Sequence, residues 1–215
     1  AGVSRATASL IVRNSPKVAD STREKVLQSM EELGYVYDRV AANLRSQSSM
    51  TIGTIITDVG NTFFAQLLLG VHQELEKHGY TVLLGTTYDS LKDQNRLIST
   101  MLENRVGGLL LCPVSESSSE TVDRIKQLNI PIVLGIRELS GLACDYVGLD
   151  YKTGAYTAVT HLLGKGHKRV AFIGGIFEST TWTERMIGYR IAHEEAGIEI
   201  DDKLIIDSEP TREGG

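Results

Sequence analysis

The sequence predicts an α/β fold: two doubly wound parallel-sheet lobes, the second of them truncated, preceded by a short all-α segment. Three observations carry this expectation. From residue 51 onward, apolar and β-branched runs alternate with amphipathic helical stretches, and repeated strand–helix units build a parallel sheet covered on both faces. A second series of the same kind starts at residue 150 and is cut off soon after a strand near "KLIID". The first 37 residues instead read as short helices with a small shared face.

In chain order, "VSRATASLIV" opens on Ser4, a good N-cap, and Ala8, Ile11 and Val12 recur at three- and four-residue spacing to make one face. Arg5, Ala6 and Leu10 then face outward. "DSTREKVLQSMEELGY" offers Ser21 and Glu24 as a capping box, Val26, Leu27, Met30 and Leu33 as its apolar positions, and Gly34 as a stop. "DRVAANLRS" carries a stripe of Val40 and Leu44, yet it is too short to hold a helix alone in water, where about 12 to 15 residues are needed. "SQSS" follows as a polar tether. Strands are expected at 51–57, 80–86, 106–112, 130–136 and 144–149, with Phe64, Leu67, Leu68, Val71 and Leu75 marking a helix between the first two. The second series runs through a helix in "DYKTGAYTAVTHLLGKGH", a strand in "KRVAFIGG" and a helix in "TERMIGYRIAHEEAG". The expected segments are therefore 1–37, a short helix-prone segment and tether at 38–50, a first lobe at 51–149 and the start of a second at 150–215.

Composition narrows the function. The chain of 215 residues is 41% hydrophobic, 23% charged and 6% aromatic, the profile of an ordinary globular protein. No apolar run reaches the roughly 18 residues that span a bilayer, and "AGVSRATASL" lacks the basic start and apolar centre of a signal peptide, so a cytoplasmic protein with no membrane partner is expected. Cys112 and Cys144 lie far apart without metal-type spacing and are expected to be reduced, structural thiols. The net charge of −5 divides into +2 for residues 1–50 and −7 for the remainder, which suits nucleic-acid binding by one part only. There is no G-x-S-x-G, G-x-G-x-x-G or Walker sequence, and His72, His78, His161, His167 and His193 have no metal or catalytic spacing. Neither catalysis, a metal nor a cofactor is expected.

Open parallel sheets bind ligands outside the carboxyl ends of their strands, and two facing lobes make a cleft. The candidates are Asp58, Asn61, Thr62, Phe63 and Phe64 after the first strand, Arg137 after the fourth, Asp150 at the start of the second lobe, and Trp182 and Arg185 within it. Aromatic rings beside charged bidentate groups suit a pyranose or a nucleobase, whose faces are apolar and whose edges are polar. Four of them have a plainer alternative: Phe64 as core, Arg185 bridging to Glu184 or Glu178, Trp182 as an exposed loop residue, and Asp150 as a helix cap.

These motifs resemble the LacI family of bacterial transcription regulators. "AGVSRATAS" looks like the turn and recognition helix of a helix-turn-helix, "STREKVLQSMEELGYV" like the helix that follows, and Asp150–Gly175 with Arg185–Tyr189 like the effector domain, which is similar to periplasmic sugar-binding proteins. The family's first helix, ahead of "AGVS", is not in this chain, and its proline before the aromatic pair is Thr62 here. The resemblance implies that Arg5, Ala6 and Leu10 read bases, with Ser4, Thr7 and Ser9 available as phosphate hydrogen-bonders. A helical packing module without a DNA role is the alternative. The resemblance also implies that "RVA" is a hinge helix ordered on DNA, two copies lying in the minor groove. Leu44 falls at the wedge position, Ala41 and Ala42 permit close approach, and Arg39 and Arg45 flank them; an ordinary linker is the alternative. Arg185 and Asp150 would hold effector hydroxyls, and Phe63 and Phe64 would line the cleft. The implied protein is a homodimeric repressor of carbohydrate-utilisation genes on a pseudo-palindromic operator, controlled by a sugar or sugar-like effector in either an inducing or a corepressing sense. The other reading is a periplasmic-type solute-binding protein that binds sugar and no DNA.

Overall fold

The computed structural model describes residues 1–12, 15–35, 49–139, 143–177, 179–208 and 214, and the chain divides into two units, Ala1–Ser48 and Ser49–Gly215. In the first unit, α1 (Arg5–Val12) begins where Ser4 Oγ accepts the Thr7 backbone N–H at 3.1 Å, satisfying one of the donors that a helix start leaves open. Ile11 is buried, Ala8 and Val12 are half-buried, and Arg5, Ala6, Ser9 and Leu10 are exposed.

The second helix corrects one expectation. α2 spans Asp20–Glu32 with Ala19 as its N-cap and no side-chain cap, so the capping box of Ser21 and Glu24 does not form. The Thr22 and Arg23 N–H groups both reach Ala19 O, and the Arg23 guanidinium donates to Ser15 O at 2.6 Å. That bond folds the preceding turn onto the first turn, starts the helix ahead of Ser21, and sets Asp20 at the positive end of the helix dipole. Val26 is buried, whereas Leu27 and Leu33 are exposed, Leu33 being already the C-cap. Gly34 ends the helix with φ 60°, and the Gly34 and Tyr35 N–H groups close back on Glu31 O and Met30 O. The expected hinge, with Arg39, Ala41 and Leu44, lies outside the described residues.

The second unit alternates strand and helix: β1 (Thr51–Ile56), α3 (Thr62–Lys77), β2 (Thr81–Thr86), α4 (Leu91–Glu103), β3 (Gly108–Leu111), α5 (Ser119–Gln127), β4 (Ile132–Gly135) and β5 (Asp145–Val147). All neighbours pair in parallel in the order β2-β1-β3-β4-β5. This is a doubly wound sheet whose direction of winding reverses between β1 and β3. Its core is built from Ile55, Leu109, Leu111 and Leu134 of the strands and Ile98, Met101, Val122 and Ile125 of the helices. Phe64, Leu67 and Leu68 pack on Ile56 and Cys112 with Ile136.

The chain continues through α6 (Tyr151–Gly164), β6 (Phe172–Ile173), α7 (Thr180–Ala196) and β7 (Ile205–Ile206), with β6 and β7 paired in parallel. Val159, Leu163, Val170, Met186, Tyr189 and Ala192 form the second core. The strand expected across "KRVAFIGG" is confined to Phe172–Ile173. Val170 is buried and its carbonyl is taken by the Tyr189 hydroxyl at 2.8 Å rather than by a ladder. Gly174 and Gly175, at φ 91° and 96°, turn the chain at the other end.

Candidate functional site

The carboxyl ends of β1, β2 and β4 face the first turns of α6 and α7 across a cavity of about 880 Å³. The size falls within the range of small-molecule pockets, and the place is the switch point of the sheet. Asp58, Phe63, Phe64, Arg137 and Arg185, all expected from sequence, line it together. Asn61 also lines it and caps α3, its Oδ1 accepting the Phe63 N–H at 3.0 Å. This cap starts the helix at Thr62, so the missing proline is replaced by an asparagine one residue earlier. The helix start sets Phe63 and Phe64 edge to face, with centroids 5.3 Å apart. Phe64 is 8% exposed and serves the core and the cavity wall at once, whereas Phe63 is 41% exposed.

Three expected positions lie off the wall. Thr62 is the exposed first residue of α3. Asp150 caps α6, taking the Thr153 N–H at 2.9 Å, and that bond holds its carboxyl below the usual carboxylate range. Trp182 is neither in a loop nor exposed. It sits half-buried in the first turn of α7, edge-on to Phe172 and Phe177 at 5.9 and 5.0 Å, so that Phe177 rather than the indole reaches the cavity. The indole Nε1–H is buried without a hydrogen-bond partner among the described residues.

The two arginines differ in what they hold. Arg137 donates through Nη1 to Asp89 Oδ1 at 2.5 Å and to Pro113 O at 3.0 Å, in a pair only 13% and 18% exposed. The Asp89 carboxylate also takes the Ser115 N–H and hydroxyl at 3.2 and 3.0 Å. Arg185 instead lies over the Tyr151 ring, 4.4 Å from its centroid. It makes no ion pair with Glu184, and Glu178 lies outside the described residues. Stacking leaves the edge of a guanidinium free to donate two parallel bonds to one ligand. Burial raises the Tyr151 hydroxyl above its ordinary pKa, against the opposing pull of Arg185 and Arg137. Cys112, behind the wall, is pushed up to about 12 by burial and stays a thiol.

Tyr88, Asp89, Tyr151 and Phe177 also line the cavity and were not among the residues expected from the sequence. Asp89 and Tyr88 follow a strand, the same signal that singled out Asp58, yet only the strand order brings them beside Arg137. Backbone strain also gathers here. Tyr88, Asp89 and Ile136 adopt φ of 47°, 59° and 69°, a region costing about 1–3 kcal/mol per residue where no glycine occupies it. Among the described residues no His/Cys/Asp/Glu group could hold a metal, and no helix is long and apolar enough to cross a membrane.

Residues 49–215 match the family described as periplasmic binding proteins and sugar binding domain of the LacI family, and residues 1–38 match the bacterial regulatory proteins of the lacI family. The chain is 32% identical over its whole length to catabolite control protein A of Priestia megaterium, covering 65% of that protein. It is 31% identical to the HTH-type transcriptional regulator AscG of Escherichia coli, again over its whole length and 65% of the relative. The chain thus spans a little under two thirds of these relatives. Among solved structures, the transcriptional regulator CelR in complex with cellobiose aligns over 99% of this chain and 64% of its own, with TM-score 0.66 and 28% identity. A LacI-family transcriptional regulator from Silicibacter pomeroyi aligns over 97% and 61%, with TM-score 0.77 and 25% identity.

Proposed function

The chain belongs to the LacI family of bacterial regulatory proteins, and from that premise we propose that it is the DNA-reading and effector-sensing part of a homodimeric transcription repressor that binds a pseudo-palindromic operator and responds to a sugar or sugar-like effector. The observation that carries the reading is Arg185, stacked on Tyr151 at the wall of an 880 Å³ cavity and making no ion pair among the described residues, opposite Asp58 and Asn61. A guanidinium and two oxygen acceptors suit a ring of hydroxyls, and Phe63 and Phe177 suit its apolar faces. A cellobiose-bound regulator of the same fold supports the sugar class. On this reading the protein is cytoplasmic, carries no catalytic centre or cofactor, and acts on carbohydrate-utilisation genes.

For the DNA end, exposed Arg5, Ala6 and Leu10 read bases in the major groove, and Ser4, Thr7 and Ser9 fix the phosphates. The segment with Arg39, Ala41 and Leu44 enters the minor groove, with Leu44 as wedge. Movement of the two lobes about a bound effector changes how closely the paired hinge segments approach and so couples the two sites. Replacing Leu44 by alanine in the full-length protein leaves the charges intact and removes a wedge worth about 0.8 kcal/mol per methylene. Specific binding and DNA bending are expected to fall while non-specific binding holds. A gel shift with circularly permuted sites at one salt concentration reads both, and equal affinity with equal bending would return this segment to a plain linker.

A further inference from the structure

We propose that Tyr88 sets the ligand selectivity of the cavity and that the Asp89–Arg137 ion pair is the device that positions it; the proposal rests on the cavity being the effector site. Five non-glycine residues among those described have positive φ. Two of them, Arg105 and Asn129, directly follow the C-caps of α4 and α5, where a left-handed residue is the ordinary way to end a helix. The other three, Tyr88, Asp89 and Ile136, all line the cavity and follow strands instead. A tyrosine and a β-branched isoleucine are poor choices for this backbone if stability alone matters. The surroundings must therefore impose it.

The ion pair supplies that constraint. Asp89 is next to Tyr88 in the chain and Arg137 is next to Ile136, so the 2.5 Å contact ties the two strained turns to each other. Asp89 binds Ser115 and Arg137 binds Pro113 O, which adds the loop after β3. The Tyr88 N–H donates to Thr57 O at 2.6 Å, which adds the end of β1. Four strand ends are thus joined around one exposed ring: Tyr88 is 70% exposed and lines the cavity. A ring presented on a backbone already fixed loses little freedom when it stacks on a ligand. Arg137, expected from sequence to hold the effector, is on this account a positioning residue that acts through Tyr88.

The test compares the full-length wild type with Tyr88→Gly, Tyr88→Phe, Asp89→Asn and Arg185→Ala, by melting temperature and by affinity for a panel of neutral mono- and disaccharides, hexose phosphates and purine bases. Without ligand, Tyr88→Gly is expected to melt no lower than wild type, because glycine accepts the left-handed backbone freely. It should bind the wild type's best panel member about tenfold more weakly, the scale of one aromatic contact, and rank the panel differently. Tyr88→Phe should keep the wild-type ranking. Asp89→Asn should melt lower and share the altered ranking of Tyr88→Gly, a change that a purely structural ion pair would not produce. A Tyr88→Gly protein with lowered melting temperature and unchanged affinities overturns the proposal and leaves the cavity reading standing, provided Arg185→Ala still weakens the same ligand. If Arg185→Ala is also without effect, or no panel member shifts the wild type, both fall.

Discussion

Arg185→Ala in the full-length protein is expected to weaken effector binding by about tenfold to a hundredfold, while operator affinity in the absence of effector stays within a few fold. The guanidinium lies over Tyr151 and makes no ion pair among the described residues, so the folded protein loses only a partly exposed cation–π contact of about 0.5–1 kcal/mol. The ligand loses charge-assisted hydrogen bonds worth roughly 1.5–3 kcal/mol, which is where the fold-change comes from. Arg185→Lys should recover little, since an ammonium cannot donate two parallel bonds in one plane. Titration calorimetry on the purified variants reads the affinity directly. An unchanged effector affinity with a lowered melting temperature would make Arg185 a structural residue.

The second large effect lies in the frame of the site. Gly188→Ala is expected to destabilise the chain by about 1–3 kcal/mol or more, since overpacking against backbone has no easy relief. A Cβ built on Gly188 would stand 2.2 Å from Lys152 O and 2.8 Å from Tyr156 N. Both are main-chain atoms of α6, so α7 must move away from it. That shift separates Tyr151, at the start of α6, from Arg185, one turn before Gly188 on α7, and effector affinity should fall along with stability. A drop of roughly 4–10 °C in melting temperature is the expected reading for a chain of this size. A melting temperature within a degree of wild type would show that the two helices can separate freely.

The strands were legible because those buried on both faces run as continuous apolar stretches, such as "TIGTIIT" around β1. The stripe of Phe64, Leu67, Leu68, Val71 and Leu75 was legible because a helix covering a sheet has one apolar face. The start of α2 was not, because Ser21 and Glu24 have the spacing of a capping box, yet the helix begins at Asp20 with Ala19 as its cap, where Arg23 reaches back to Ser15 O. The strand in "KRVAFIGG" was overread for a similar reason: its apolar run continues into Val170, whose carbonyl is claimed by Tyr189 from a distant helix. In the cavity, residues that follow strands could be named in advance, but their partners could not. Asp89 and Arg137 are 48 residues apart, and nothing local in either segment announces that the strand order makes them neighbours.

Coupling between the cavity and DNA within one chain is read by operator affinity measured with and without effector. Fluorescence anisotropy on a labelled operator, with full-length protein and a ligand chosen because it raises the melting temperature, gives both dissociation constants at one salt concentration. A coupling of about 1–3 kcal/mol, a 5- to 150-fold change in operator affinity, is expected for the wild type, with Arg185→Ala requiring far more ligand for the same change. A ligand that saturates the cavity and leaves the operator dissociation constant where it was would show that cavity and DNA site are not coupled.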